Sequence, residues 1–435
     1  MAQAQHGEGE RRSIATHLYL EIALARKDDL SSRNSCRRHP IRSRRQLGRA
    51  RYRPATNKRS LLRAGEESVT VMNRDDQLTQ VLGAGIESFD IPEDQFKVAE
   101  FAYKAACDFL STYWSGSGTG GALYPQGSMR LGTVTALIHR HDEYDLDMVC
   151  RHDLELSQID PEDLKADVGD ALENFVKEHP ELRLTLDDEG RRCWTFVHDL
   201  LPFHMDVLPA IPNAAAEPNG IWATDTEGSR WHPSAPTDYA DWFLGVLHDE
   251  WLAGAIRIAE SRQMDVEQLP RNAFKTTLQR TVQALKRHRD IYFSDDPSNR
   301  PSSIIITTLA ARSYEPGGDL FNVLHHVVHQ MPDHVESRFG RYVIANPVEP
   351  DENFADRWIG HPVRARRFFE WLEAAQRDFT AIGDAHDTGD MLDQTALALG
   401  IRAARAAEQA VATGTTARRS AMIATRVPAG SDRFA

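Results

Sequence analysis

Cysteine is scarce in this chain: Cys36, Cys107, Cys150 and Cys193 are the only four in 435 residues, and no two lie close together. That scatter excludes a disulfide scaffold, argues against structural zinc, and fits a reducing compartment. Long apolar runs are lacking too. Nothing approaches the roughly 18–20 consecutive apolar residues of a membrane span, and the stretch from Ala15 to Ala25 is broken by His17 and Glu21. A soluble, cytoplasmic protein with no membrane partner is expected. Basic residues are short over most of the length. The chain carries 51 Lys and Arg against 64 Asp and Glu, a net charge of −13. The first 71 residues hold 16 basic and 7 acidic residues, which leaves 35 basic and 57 acidic for the rest. Long nucleic acids are held by neutralising their phosphates, so this acidic body argues against a stable nucleic-acid partner. Small nucleotides neutralised by bound metal are compatible with it.

An apolar content of 41% over this length is enough for two ordinary domains. Residues 1–71, rich in Arg and Ser, show no sustained period after Ala25 and read as a disordered basic extension, a nucleic-acid-binding or targeting arm, or an over-extended start before a natural Met72. The last reading is favoured because organised patterning begins there. Helical spacing predicts two helices between Asp76 and Trp114, split near Pro92. A Ser/Gly-rich link, Ser115 to Gly121, follows. Strands are expected at Tyr144–Val149, Thr195–Val197 and Phe203–Leu208, with a helix near 161–179, giving a mixed α/β catalytic domain over 72–237. Residues 211–237 read as a long surface loop or lid. Helical periods from Leu269 to Phe293, Ser302 to Ala311, Leu320 to Met331, Ala355 to Ile382 and Met391 to Thr413 predict a second, helical domain over 238–413, and 414–435 reads as a flexible tail. No internal repeat is present.

The chemistry is concentrated in two places. Asp145 and Asp147, one residue apart on a predicted strand, point the same way. The run Tyr124-Pro125-Gln126-Gly127-Ser128-Met129-Arg130-Leu131-Gly132 forms a small-residue turn whose backbone N–H groups and Ser128 hydroxyl suit a triphosphate. Asp206 stands alone on another apolar strand, and antiparallel pairing beside the Asp145 strand would gather three carboxylates. Three such acids can hold two Mg²⁺ ions, with Mn²⁺ as a substitute. Asp145 and Asp147 would bridge the metals, and Asp206 would ligate the acceptor-side ion and receive the proton. Gln126 reads equally as a nucleotide contact or a turn-stabilising amide, and Asn353 as a nucleotide support or a helix cap, with the cap favoured. His204 shares the face of Asp206, where an orienting role is open to it. Among His139, His141, His198, His204 and His288, no pair has the helical spacing of a zinc ligand set.

These acids and the Gly127-Ser128 turn resemble the polymerase-β nucleotidyltransferase superfamily. The stretches Gln279 to Asp290, Arg300 to Ala311 and Asn346 to Ala355 resemble the helical domain of the cGAS/DncV-like nucleotidyltransferases of bacterial CBASS anti-phage systems, over roughly Met72 to Ala410. The resemblance implies a polymerase-β-like α/β core with a C-terminal helical domain of the oligoadenylate-synthase/cGAS type. It implies an enzyme that condenses nucleoside triphosphates (ATP, with GTP, CTP or UTP as alternatives) into a cyclic di- or trinucleotide with release of pyrophosphate. It further implies that Ser128, Lys286 and Ser303 reach the donor phosphates, although from the residues alone Lys286 is as readily an exposed helix cation. A product-sensing effector protein is implied as a partner. So are ubiquitin-transfer-like enzymes that conjugate the C-terminus at Ser431-Asp432-Arg433-Phe434-Ala435, for which an ordinary frayed end is the alternative. The animal DNA sensor of this family carries a zinc-binding insertion, and nothing here matches one. Two rival readings use the same acids: linear nucleotidyl transfer to oligonucleotide, RNA or protein, and a catalytically silent nucleotide-binding sensor.

Overall fold

The computed structural model describes residues 73–115, 121–136, 144–187, 190–199, 203–225, 230–266 and 274–425. The basic extension, the middle of the Ser/Gly link, His139, His141 and the terminal Ser431–Ala435 lie outside the described residues.

Two helices open the described chain, α1 (Arg74–Glu87) and α2 (Glu93–Ser115), separated at Pro92 as the periodicity predicts. Strand β1 (Gly121–Pro125) leads into the short helix α3 (Gly127–Leu131), so the small-residue turn is the first turn of a helix. Then follow β2 (Tyr144–His152), α4 (Pro161–Glu178), β3 (Leu184–Leu186), β4 (Trp194–His198), β5 (Phe203–Pro212), β6 (Ile221–Asp225) and β7 (Arg230–Ser234). The seven strands form one sheet in the order β1-β2-β5-β4-β3, with the β6–β7 hairpin added through β5. Asp160 fixes the start of α4 by accepting from the backbone N–H of Glu162 and Asp163 at 3.1 and 3.0 Å. Its buried stripe, Leu164, Val168, Ala171, Leu172 and Phe175, lies against the sheet, where Phe175 meets Phe196 at 5.7 Å between ring centroids.

Two expectations are corrected here. The strands that carry Asp145 and Asp206 run parallel, not antiparallel. The reason is topological: a crossover containing α4 separates them, and β5 turns back from β4 to pair antiparallel with it and lies between β4 and β2. The expected lid over 211–237 is mostly sheet. Ile221-Trp222-Ala223-Thr224 pairs with the end of β5, Ala210 opposite Ala223, and buries Ile221, Ala223 and Thr224. The Pro, Asn and Gly that suggested a loop are concentrated in residues 212–220.

The rest is helical: α5 (Pro236–Val246), α6 (His248–Arg262), α7 (Thr277–Tyr292), α8 (Ser303–Arg312), α9 (Leu320–Gln330), α10 (Arg357–Gly360), α11 (Pro362–Asp384), α12 (Thr388–Leu399) and α13 (Ile401–Thr425). A small hairpin, β8 (Glu336–Arg338) with β9 (Arg341–Val343), interrupts them. Gly400, at φ +89°, separates α12 from α13, and α13 continues through Thr425, into the stretch read as a flexible tail. Helix α1 packs in the core shared by α5 and α7–α13: Leu78, Val81, Leu82 and Ile86 are buried with Ala403 and Ala407. Gln80 Nε2 donates to the carbonyl of Ala410 at 3.0 Å.

Helix α7 is the axis of this half. Thr276 and Gln279 form a capping box at its start. Near its end the Trp371 indole N–H donates to His288 Nδ1 at 3.0 Å. An indole can only donate, so His288 carries its proton on Nε2 and gives it to Asp378 Oδ2, 3.0 Å away. Asp90, in the turn between α1 and α2, receives Lys275 Nζ at 2.6 Å, Arg280 Nη1 at 2.8 Å and Gln283 Nε2 at 3.1 Å. Burial alone would raise its pKa, but Lys275, Arg280 and Gln283 outweigh it and hold the carboxyl below the usual aspartate value. A carboxyl depressed in the folded state contributes stability above its ordinary pKa and loses that contribution as pH falls through the folded value. Thermal melts of the wild type and Asp90→Asn at pH 6 and pH 3 are therefore expected to differ more at pH 6. A constant difference at both pH values would contradict this.

Candidate active site

Strand β2 presents Asp145 and Asp147 between the buried residues Leu146 and Met148. Parallel registry places Asp145 opposite His204 and Asp147 opposite Asp206 on β5. Because neighbours in register share a face, the three acids and the histidine converge. Asp145 is exposed, whereas Asp147, His204 and Asp206 are half-buried. His204 Nε2 stands 3.5 Å from Asp145 Oδ1. One potential ligand atom from each of Asp145, His204 and Asp206 lies within 4.8 Å of the others.

Asp147 stands outside that trio because its carboxylate leans on Gly127. A Cβ built on Gly127 would lie 1.8 Å from Asp147 Oδ2, and Gly127 sits at φ +62°. Only glycine meets both conditions, a left-handed backbone and no side chain at the contact. The main chain reinforces the approach, since Gln126 N–H donates to the Asp147 carbonyl at 2.9 Å. The Gln126 side chain makes no cap hydrogen bond to α3, which leaves it on the wall of the cleft.

The cleft has a volume of about 1200 Å³, larger than the roughly 300–1,000 Å³ of an ordinary small-ligand pocket. One wall carries Gln126, Gly127, Ser128, Asp145, Asp147 and His204. The other carries Lys286, Arg289, Arg300 and Ser303 from the helical half. Asp206 does not line the cleft itself, but its carboxylate lies close to Asp145 and His204. Lys286 is buried rather than an exposed helix cation, and its Nζ donates to the Thr133 carbonyl at 3.0 Å. Ser303 begins α8, and its hydroxyl accepts from Arg289 Nη1 at 3.0 Å. Asn353 is not a helix cap. Its Oδ1 accepts from Ile344 N and Ala355 N, and its Nδ2 donates to the Tyr342 carbonyl, tying β9 to the segment before α10.

The electrostatics follow from this crowding. Burial raises the Asp147 pKa to about 8, helped by Asp145 and Asp206 and opposed by Lys286 and His204. Burial also raises Asp206, while the Thr195 hydroxyl, donating to its Oδ1 at 2.6 Å, pulls it back. Burial, with Arg289 adding to it, lowers Lys286 to about 8, while Asp290, Asp145 and Asp147 act the other way. Asp147 and Asp206 resist ionisation beside the third carboxylate, Asp145, so the site is short of positive charge. Their oxygen donors fit hard divalent cations, with His204 placed to orient Asp145.

Thr195, Arg289 and Arg192, which lines the cleft and donates from Nε to Asp225 Oδ2 at 3.2 Å, went unnoticed in the sequence. Thr195 lies opposite Asp206 in the β4–β5 pairing, so the correct strand register would have found it. The two arginines carry no motif of their own.

No family model matches the chain. A c-di-GMP synthase from Roseivirga ehrenbergii is 29% identical over 319 residues, 72% of this chain and 82% of that protein. The cyclic dinucleotide synthase CdnG of Bradyrhizobium diazoefficiens is 27% identical over 257 residues, 54% of this chain and 59% of that one. The structure of the Bradyrhizobium diazoefficiens CdnG in complex with GTP matches with a TM-score of 0.60 at 22% identity, over 77% of this chain and 99% of that chain. The chain is similar to these cyclic dinucleotide synthases, and it shares the fold of the CdnG structure. The α/β sheet and the helical half together form the fold that the resemblance implied. No helix among the described residues is long and apolar enough to cross a membrane.

The contact between Gly127 and Asp147 gives a direct test. Gly127→Ala is expected to destabilise the fold by about 1–3 kcal/mol, through strain and the displaced carboxylate. Gly83→Ala is the control, because its Cβ meets nothing within 4 Å inside α1, and it should stabilise by about 0.5–1 kcal/mol. Urea denaturation of both variants measures the contrast, and equal effects would refute the steric argument.

Proposed function

We propose that the protein condenses nucleoside triphosphates into a cyclic oligonucleotide, releasing pyrophosphate, and that the product serves as a second messenger in anti-phage defence. The observation that carries this reading is the in-register Asp147–Asp206 pair beside Asp145 and Ser128, with Lys286 and Ser303 facing them across a cleft with room for more than one small ligand. The relatives' printed products and the GTP in the CdnG complex make GTP the first substrate to test.

In this mechanism Ser128 and the backbone N–H groups at the start of α3 hold the donor's β and γ phosphates from one side. Lys286 and Ser303 hold them from the other, and Gln126 contacts the nucleotide. Asp145, Asp147 and Asp206 would hold the cations, two Mg²⁺ or Mn²⁺ in their place. Divalent cations there would lower the pKa of the acceptor hydroxyl and offset charge on the transferring phosphoryl group. The Thr195 hydroxyl occupies Asp206 Oδ1, which leaves Oδ2 to take the hydroxyl proton as it attacks the α-phosphorus. The raised affinity of Asp206 for protons suits that role. Holding donor and acceptor together in one cleft turns an encounter in solution into a step within a complex.

The test is incubation with all four ribonucleoside triphosphates and Mg²⁺ or Mn²⁺, followed by phosphatase treatment and mass spectrometry. A phosphatase-resistant cyclic product is expected, and Asp145→Asn/Asp147→Asn should reduce it at least 10³-fold, the scale at which loss of the main electrostatic stabilisation is felt. Linear products alone would instead assign a tailing or nucleotidylating enzyme, and binding without turnover a sensor.

A further inference from the structure

Helix α7 buries four polar side chains along one face, Gln279, Gln283, Lys286 and Arg287. Their spacing of i, i+4, i+7 and i+8 makes them one stripe. Every one donates to a main-chain carbonyl of the segment 131–136, which begins with the last residue of α3. Gln279 Nε2 reaches Leu131 O at 2.8 Å, Gln283 Nε2 reaches Val134 O at 2.6 Å, and Lys286 Nζ reaches Thr133 O at 3.0 Å. Arg287 Nη2 reaches Ala136 O, with its guanidinium 4.4 Å from the Phe89 ring centroid. Buried donors of this kind are costly unless paired, and the whole stripe is paired to one short stretch of backbone.

The first rung sits at a strategic place. Leu131 is the last residue of α3, so its carbonyl is among those a helix end leaves without an internal partner. Gly132 closes the helix at φ +69°, and a Cβ there would lie 2.5 Å from Gln279 Nε2. The same short helix carries Gly127 and Ser128 at its other end. Five residues of helix transmit a shift at one end to the other almost undamped, since the rise is only about 1.5 Å per residue.

We propose that Gln279 is a positioning residue for nucleotide binding: by holding the C-terminal carbonyl of α3, it sets where Gly127 and Ser128 stand and hence how tightly they grip a triphosphate. This rests on the nucleotidyltransferase reading of the cleft. The residue has a second task, because its Oε1 accepts from Thr276 N at 2.8 Å to complete the capping box of α7. The two tasks use different atoms and can be separated.

Gln279→Glu keeps the carbonyl-like acceptor, and Glu is a usual partner in such a box. It replaces the amide N–H₂ facing Leu131 O with an oxygen. A role in the cap alone leaves the melting temperature unchanged or higher and the kinetics untouched. The positioning role gives a rise of about tenfold in KM for GTP, from the lost and now unfavourable contact. It keeps kcat within about threefold, because the grip acts equally on ground and transition states. The Kd of a non-hydrolysable GTP analogue, read by calorimetry with Mg²⁺ and without turnover, should rise by the same factor. Unchanged KM and Kd in a folded Gln279→Glu protein would overturn the proposal. If that variant does not fold, Gln279→Met, which removes the donor to Leu131 O without adding charge, carries the same expectation for KM and Kd and the same refutation. A wild type that binds the analogue but makes no product sinks the synthase reading while the Kd comparison still decides the role of Gln279. A wild type that binds no triphosphate overturns both.

Discussion

A carboxylate resting on a bare backbone is the constraint around which the site is built. Asp147 can lean on residue 127 only if nothing projects there, and residue 127 can take its left-handed turn only as glycine. The contact joins the strand that supplies the acids to the helix that begins with Ser128. It therefore fixes the distance between the acids of the cleft and the Ser128 hydroxyl. Strand registry then brings Asp206 in beside Asp147, and Thr195 on the next strand steadies it. The acids are not a stabilising feature. Burial and mutual repulsion make Asp147 hold its proton to unusually high pH, which is the signature of groups arranged for a cationic ligand rather than for the fold.

The helical half contributes charge of the other sign by a different route. Its cations are not surface side chains that happen to face inward. Lys286 is anchored by a carbonyl, and Arg289 is held by Ser303, Pro301 and Asp290. Each is already ordered before any ligand arrives, so less side-chain entropy is lost on binding. An acidic protein thereby keeps a local cationic wall, and net charge says little about a cleft of this kind.

Sequence reasoning reached the acids, the Gly127-Ser128 step and most helices because each leaves a local mark: alternation about Asp145 and Asp147, a period near 3.6, or a glycine. It missed what depends on neighbours distant in the chain. Parallel or antiparallel pairing of β2 with β5 is invisible in either strand alone. The β6–β7 hairpin was obscured by the Pro and Gly that precede it. Helix α7 was found, but Gln279, Gln283 and Arg287 look like a solvated face until the carbonyls of 131–136 are seen against them. Gln126 and Asn353 show the same limit in small: an amide at a turn has several uses, and only the surrounding backbone selects one.

Helix α1 has a bearing on how the chain is made. Leu78, Val81 and Leu82 emerge from the ribosome near the start of the described residues, yet they are buried with Ala403 and Ala407, which emerge much later. Until α13 exists, that apolar stripe has no native cover, and the loop to be closed spans more than three hundred residues. The sheet can assemble during synthesis from strands close in sequence, whereas the helical half must wait for α13. Throughout that interval the acidic strands are paired while the helical core that backs the cationic wall is still incomplete.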